Sequence, residues 1–167
     1  MKKKTGIIAG IIIVCIALFI WLNYNSLVSK EENVKKMWSE VQSTYQRRLD
    51  LVPNLVNVVK GVSGFEQETL VKITEARSAA LSGLTGDATD AENVQAQNRL
   101  QDTLAAAANR IIIQIERYPE LKGTEAYAGL QAQLEGTERR IKVARKDFNE
   151  AINSYNRKVR SFPSNLI

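Results

Sequence analysis

Apolar residues are distributed in two ways along the chain, as one continuous run near its beginning and with helical periodicity over the remainder. About twenty residues from Thr5 to Tyr24 carry no charge and are mostly Ile, Val, Leu, Ala and Phe. A helix of that length matches a hydrocarbon core about 30 Å thick. Trp21 and Tyr24 stand at the far end of the run, where aromatic rings favour the headgroup layer. The pattern predicts a transmembrane helix.

A cleavable signal peptide is the alternative interpretation of this segment, because Lys2 to Lys4 resemble its charged start. The apolar run is too long for a signal peptide, and no small-x-small cleavage pattern follows it. We therefore expect an uncleaved anchor. The first three lysines favour a cytoplasmic N-terminus, although Lys30, Lys35 and Lys36 weaken this bias. We expect the remainder of the chain to lie outside the cytoplasm.

Apolar side chains then recur every three or four residues from Leu27 to Val59. This spacing predicts a long amphipathic helix that runs on from the transmembrane segment. Pro53 interrupts the helix, because proline lacks an N–H and its ring crowds the carbonyl of Leu49. We expect a kink at this position.

Three further helices are predicted, with glycine and proline between them. The loop Ser82–Thr89 contains two glycines, and Pro119 ends the third helix. The fourth helix has the clearest pattern, because apolar and small residues alternate by three and four from Tyr127 to Phe162, with only Lys158 out of place. The predicted ranges of these helices are about 65–81, 90–118 and 124–162.

No segment alternates with period two, so the pattern predicts an all-α fold. We expect an N-terminal transmembrane helix followed by an antiparallel bundle of four long helices. A chain of 167 residues has room for one hydrophobic core beside an anchor. We therefore divide it into a tail and anchor over residues 1–25 and a helical bundle domain over residues 26–167.

The composition removes most kinds of catalytic site. There is no histidine, which is the commonest general base and metal ligand, and the one cysteine, Cys15, lies within the apolar run. A carboxylate pair would need two acids that converge in a cleft, and Glu135 and Glu138 lie on a helix surface. We expect no enzymatic activity, no metal and no cofactor.

Polar residues on the first and fourth helices form a candidate interhelix network. Its members on the fourth helix are spaced by seven and four residues, so they share one flank. One interpretation is a ligand site between the two helices. The favoured one is a set of ion pairs that fixes helix pairing, as flanking charges do in coiled coils. The candidate residues are Arg47, Arg48, Asp50, Glu138, Arg145 and Asn149.

The second candidate site is basic. Residues Arg139 to Arg160 hold eight basic and two acidic side chains, whereas the chain without Lys2 to Lys4 holds 20 basic and 18 acidic residues. No aromatic stacking platform accompanies the basic run, so we expect no nucleic-acid partner. Lipid headgroups and the negative end of the helix dipole both explain it better. The candidate membrane-proximal basic end consists of Arg157, Lys158 and Arg160.

Four groups of residues carry a family resemblance over nearly the whole chain. The first is Tyr45, Arg47, Arg48, Asp50, Leu51, Pro53, Asn54 and Leu55; the second is Glu66, Ala76 and Arg77; the third is Tyr118, Pro119, Glu120, Leu121 and Lys122. The fourth is Leu130, Gln131, Leu134, Glu135, Thr137, Glu138, Ile141, Ala144, Arg145, Asn149, Tyr155, Asn156, Phe162 and Pro163. In this order and spacing they resemble the LemA family. The resemblance implies a bacterial membrane protein with an N-terminal anchor and an antiparallel helical bundle, and it brings no catalytic residues.

These observations favour a membrane-anchored scaffold or adaptor of the bacterial envelope that acts through protein–protein contacts. We expect a single-pass protein of the cytoplasmic (inner) membrane, with the lipid bilayer and other membrane or envelope proteins as partners. The alternative is an extracytoplasmic sensor domain that binds a small ligand between helices one and four, in a pocket lined by Arg47, Asp50 and Asn149.

We also expect homo-oligomers, because two helices are apolar over more of their circumference than one seam requires. On the first helix the surplus residues are Leu51, Val52, Leu55, Val56, Val58 and Val59. On the third helix they are Ile111, Ile112, Ile113 and Ile115. Flanking helices of the same bundle would cover part of this surface.

Overall fold

The computed structural model of the protein describes residues 2–84 and 86–166, and the described residues form helices and turns without a strand. The expected all-α fold is therefore confirmed over this part of the chain. The helices are α1 (Lys2–Lys60), α2 (Gln67–Ser82), α3 (Ala91–Ile115), the single turn α4 (Pro119–Lys122) and α5 (Glu125–Arg160), followed by a 3-10 turn at Ser164–Leu166.

The chain packs as two compact units, each of which contains part of α1 and part of α5. The anchor unit comprises Met1–Met37 and Asp147–Ile167, and the core unit comprises Trp38–Lys146. The proposed domain boundary between residues 25 and 26 follows composition rather than packing, and it stays a prediction.

The core unit is built around apolar side chains from all four of its long helical segments. Because the buried positions recur every three or four residues, each helix turns one face inward. The central buried residues are Leu49, Val52, Leu55 and Val59 of α1, Ile73 of α2, Leu104, Ile111 and Ile115 of α3, and Tyr127, Leu130 and Leu134 of α5.

Pro53 lies within α1, which continues through it to Lys60. Since proline donates no hydrogen bond, the carbonyl of Leu49 loses its usual helical partner. Arg77 of α2 supplies a replacement, because its Nε donates to the Leu49 oxygen at 2.9 Å. A guanidinium from a neighbouring helix thus compensates for the proline, and the expected kink stays a prediction.

The loop between α2 and α3 is bonded to α1. The side-chain amide of Gln42 donates to the carbonyl of Leu84 at 2.8 Å, and the Trp38 indole donates to the carbonyl of Gly86 at 3.2 Å. At Gly83 a Cβ atom would lie 2.8 Å from Cδ1 of Leu100, so a larger residue there would require the Leu100 side chain to shift. Asp90 caps α3 by accepting hydrogen bonds from the backbone N–H groups of residues 92 and 93.

The third helix is shorter than predicted, because α3 ends at Ile115 and not near Tyr118. Tyr118 instead precedes the unpredicted turn α4, in which Pro119 occupies the first helical position. The Tyr118 hydroxyl donates to the carbonyl of Gly64 at 3.1 Å, and its ring packs on Phe65 with centroids 5.9 Å apart. Gly64 has φ +86°, a conformation that favours glycine.

The anchor unit contains the apolar part of α1, which is long and apolar enough to cross a membrane. Its described large apolar side chains are 47–67% exposed. On α5, Phe148 is 3% exposed, as its place in the pattern predicted. Phe162 departs from the pattern, because α5 ends at Arg160 and the Phe162 side chain is 80% exposed.

Candidate functional site

Arg48 is the buried centre of the polar network in the core unit. It lies on the face of α1 that is directed at the core, where it is 2% exposed. Its Nε and Nη2 donate to the two carboxylate oxygens of Glu138 on α5, at 2.8 and 2.6 Å. This pair of parallel bonds is the strongest geometry available to an arginine and a carboxylate. The Glu138 side chain is 48% exposed, so water reaches the outer side of the pair.

The third helix completes the surroundings of Arg48. Its Nη1 donates to the backbone carbonyl of Gln101 at 2.8 Å and to the side-chain oxygen of the same residue at 3.1 Å. The guanidinium therefore joins α1, α3 and α5 through bonds that all have ordinary lengths. Gln101 itself is 1% exposed. The arrangement fixes the register of three helices at one level of the core unit.

A second cluster surrounds Tyr45, about one helical turn before Arg48. The Tyr45 hydroxyl donates to Asn98 Oδ1 at 2.5 Å and accepts from Nε of Arg145 at 2.6 Å. Arg145 also donates to Asp102 at 2.8 Å and places its guanidinium carbon 5.3 Å from the centre of the Tyr45 ring. This distance is within the range of a cation–π contact.

The electrostatics of this cluster favour a neutral tyrosine. Burial raises the pKa of Tyr45, and the nearby guanidinium of Arg145 opposes the shift only in part. Burial also raises the pKa of Tyr127, at the far end of the core unit. A general base must be deprotonated at the working pH, so an upward shift of the pKa leaves less of either side chain available as a base.

Three of the six predicted network residues lie in these clusters and three do not. Arg48, Glu138 and Arg145 make the bonds described above. Arg47 and Asp50 are exposed on α1, and Asp50 accepts a hydrogen bond from the neighbouring Gln46 at 2.8 Å. Asn149 is exposed and belongs to the anchor unit. The bonds of Arg48, Glu138 and Arg145 are of the kind that the network interpretation predicts, and the pocket lined by the other three residues stays a prediction.

The contribution of α3 was missed by the sequence analysis. Gln97 and Gln101 are buried, at 4% and 1% exposure, within the same stripe as Leu104 and Ala108. A sequence signal existed, because continuing the spacing of three and four backwards from Leu104 reaches positions 101 and 97. These positions carry amides, so a search for apolar residues passed over them.

The predicted basic end lies in the last turn of α5, within the anchor unit. Arg157 and Arg160 are exposed, whereas Lys158 is partly buried. Lys158 donates to Oδ1 of Asn23 on α1 at 3.1 Å, which explains a lysine in an otherwise apolar pattern. A second bond in the same unit joins Lys30 to the hydroxyl of Ser154 at 2.9 Å.

Two of the grooves on the described surface of the core unit are lined by residues other than the predicted site residues. One has a volume of about 460 Å³ between the end of α1 and α2, with Val56, Phe65, Leu70 and Val71 among its lining residues. The other, of about 520 Å³, lies between α2 and α3 and is lined mainly by alanine, threonine and charged side chains. Among the described residues no group of three potential metal ligands comes together.

Comparison with known proteins identifies the family. The sequence model of the LemA family matches residues 37–167, which is most of the chain. The chain belongs to the LemA family. The resemblance found in the sequence is confirmed, and the match includes the whole core unit. Together with the apolar segment of α1, it indicates a membrane-associated helical protein.

Relatives of this LemA family chain include proteins from two bacteria. It is 27% identical over 168 residues to Protein LemA of Metamycoplasma hominis, and it is covered completely and spans 74% of that protein. It is 24% identical over 181 residues to Magnetosome proteins MamQ 1 and MamQ 2 of Paramagnetospirillum magneticum. Here 96% of the chain is covered, and it spans 66% of each relative.

Proposed function

We propose that this LemA family protein is a membrane-anchored scaffold or adaptor of the bacterial envelope, which acts through protein–protein contacts. Its anchor is the apolar segment of α1 in the cytoplasmic membrane, and the core unit lies outside the cytoplasm. The four long helices form an antiparallel bundle. Two pairings in the core unit support this topology, because Tyr45 bonds Arg145 whereas the later Arg48 bonds the earlier Glu138.

The observation that carries the proposal is that polar side chains of the core unit bond to one another across helices. Four of the five N–H groups of Arg48 are directed at Glu138 and Gln101. Arg145 directs its bonds at Tyr45 and Asp102. Side chains engaged with one another in this way hold helices in a fixed arrangement. A rigid bundle suits a protein that presents surfaces to partners and performs no reaction.

The surface of the core unit supplies apolar contacts for such partners. Of the surplus isoleucines on α3, Ile111 and Ile115 are buried, whereas Ile113 is 66% exposed. The surplus on α1 is largely covered, since Leu51 is 7% and Val52 1% exposed. Self-association is therefore proposed through the exposed face of α3 and not through α1. Large exposed apolar side chains are enriched at such contacts.

Photocrosslinking in the membrane tests this proposal. A photoreactive amino acid in place of Ile113 is expected to give discrete adducts of the full-length chain with itself or with envelope proteins. Ala96, also exposed on α3, is the matched control position. Light scattering on detergent-solubilised Ile113→Asp and Ala96→Asp should show a smaller particle for the first variant alone. Equal adduct yields at both positions, together with a monomer at every concentration, would contradict it.

A further inference from the structure

Two large apolar side chains beyond α5 are more exposed than the described ones within the transmembrane segment. Phe162 is 80% and Leu166 75% exposed, whereas the segment reaches at most 67%, at Ile13. Both belong to the stretch 161–166, which includes the 3-10 turn Ser164–Leu166. Large apolar side chains that are exposed within a few residues of each other are typical of a contact surface.

This stretch is bonded to α1 within the anchor unit. Ser164 is 6% exposed, and its hydroxyl donates to Oδ1 of Asn23 at 3.4 Å. The same oxygen accepts a hydrogen bond from Lys158 at 3.1 Å. Two donors, one from the end of α5 and one from the stretch beyond it, therefore converge on one side chain of α1. The convergence holds the stretch 161–166 at the level of Asn23.

In the proposed anchor, Asn23 lies near the end of the apolar segment of α1, where the helix leaves the hydrocarbon. Trp21 and Tyr24 are within about 3 Å of it along the helix axis, and such rings favour the headgroup layer. Phe162 and Leu166 are each two residues from Ser164, which is within about 7 Å of extended chain. Their side chains consequently reach the headgroup layer.

The charge next to these side chains suits an anionic membrane surface. Arg157 and Arg160 are exposed in the last turn of α5, just before Phe162. Basic side chains beside apolar ones are the composition that binds anionic headgroups while an apolar group enters the interface.

We propose that the stretch 161–166 is a second membrane contact, in which Phe162 and Leu166 enter the interfacial layer and Arg157 and Arg160 bind anionic lipid headgroups. The inference rests on the proposed membrane anchor. It adds a lipid-binding site that an anchor does not by itself require, and it gives the end of α5 a fixed depth at the bilayer.

Fluorescence quenching on the reconstituted full-length chain tests the apolar part. The environment-sensitive label is attached to Asn165→Cys in a Cys15→Ala background, which leaves Phe162 and Leu166 intact. The matched control is Asn153→Cys, an exposed position on α5 in the same unit. A nitroxide at a shallow position of the lipid should quench the label at 165 strongly, whereas iodide in the water should quench it weakly. The label at 153 should show the reverse. Phe162→Ser should lower the equilibrium constant for lipid binding of the stretch by about tenfold, because burial of a phenylalanine side chain contributes at least that factor.

Lipid composition tests the charged part. In vesicles that contain phosphatidylglycerol, Arg157→Gln with Arg160→Gln should weaken lipid quenching at 165, because loss of two basic residues near an anionic surface lowers the equilibrium constant for lipid binding by about thirtyfold. In phosphatidylcholine vesicles the same pair should have no effect. Arg139→Gln with Arg140→Gln, exposed on α5 in the core unit, is the charge-matched control.

Three results would overturn the inference. The first is iodide quenching at 165 equal to that at 153 and unchanged by Phe162→Ser. The second is a label at 165 that is shielded from both quenchers only at a high ratio of protein to lipid, which would assign the surface to a second copy. The third is failure of the chain to float with the vesicles, which alone would also reject the proposed anchor.

Discussion

The core unit and the anchor unit both contain part of α1 and part of α5, but they differ in the burial of the apolar side chains on α1. In the core unit Leu49 and Leu55 are fully buried. In the anchor unit the apolar segment keeps Ile7 and Leu22 more than 60% exposed. The hydrophobic effect acts on both, but water-facing helices must cover such residues with protein, whereas lipid covers them at no cost. A single helix is thus built for two solvents.

The two units also differ in how their polar side chains are bonded. The core unit buries the charge of Arg48 and surrounds it with acceptors from two other helices. In the anchor unit Asn23 receives bonds from Lys158 and Ser164 at the end of the apolar segment. A buried polar group without a hydrogen bond costs free energy, so these bonds mark where each unit depends on specific residues.

The largest expected effect concerns the side of the membrane on which the core unit lies. Ser82 is exposed at the C-terminal end of α2, so Ser82→Cys should react with an impermeant maleimide in whole or outer-membrane-permeabilised cells. The unaltered chain, with only Cys15 in the apolar segment, should stay unlabelled. Reaction of Ser82→Cys only after cell lysis would reverse the orientation.

The next effect tests packing on α5. Phe148→Ala should lower the free energy of unfolding by about 3 to 5 kcal/mol, because the ring is 3% exposed and its removal leaves a cavity. The exposed neighbour provides the control, since Asn149→Ala should change it by less than about 0.5 kcal/mol. Urea unfolding of the full-length chain in nanodiscs, followed by circular dichroism, measures both. A loss below about 1 kcal/mol for Phe148→Ala would show that the ring is not in a core.

The buried ion pair should respond unequally to loss of its two members. Glu138→Ala leaves the charge of Arg48 buried without its counter-ion, at a cost of about 2 kcal/mol, below the value for a fully buried pair because water reaches Glu138. Arg48→Met should cost less, since the carboxylate can hydrate. Glu135→Ala, exposed on the same helix, should stay within about 0.5 kcal/mol in the same unfolding assay. A larger loss for Arg48→Met than for Glu138→Ala would contradict the burial of the charge.

Two buried tyrosines of the core unit allow a matched comparison of hydroxyl groups. Tyr45→Phe removes bonds to Asn98 and Arg145 and should cost about 1 to 2 kcal/mol. Within the described part of the chain the Tyr127 hydroxyl has no hydrogen-bond partner, so Tyr127→Phe should be neutral or stabilising. Equal losses in thermal or urea unfolding would show that packing, and not hydrogen bonding, governs both sites.

The smallest effect is on the pH dependence of stability. Burial raises the pKa of Tyr45 and Tyr127 above the unfolded value of about 10. The folded chain then keeps protons that the unfolded chain releases. The stability that these two hydroxyl groups contribute is therefore fully present below about pH 10, and it is lost as the pH rises through their folded-state pKa. The urea midpoint should fall between about pH 9 and 11, and less steeply in the double variant Tyr45→Phe with Tyr127→Phe. Identical slopes would contradict the shifts.

Part of the polar network was predictable because periodicity places residues on helix faces. Glu138 and Arg145 share a flank of α5, and both make interhelix bonds. Arg47 was predicted with Arg48, but successive helical residues are about 100° apart, so only one of two neighbours faces inward. Position 48 lies three residues after Tyr45 and four before position 52, both of which are buried, so the spacing already favoured Arg48, and naming both arginines overlooked that signal.

The sequence by itself determined that this chain is helical, that it has one segment apolar enough to span a membrane, and that it belongs to the LemA family. These properties depend on local composition and on spacings of three and four residues, which are read along one helix at a time. Tertiary structure decided that α3 joins Arg48 through Gln101, that Arg77 serves the carbonyl left by Pro53, and that Lys158 bonds Asn23. Each of these bonds links residues distant in sequence, and its partner depends on the depth and rotation at which separate helices pack.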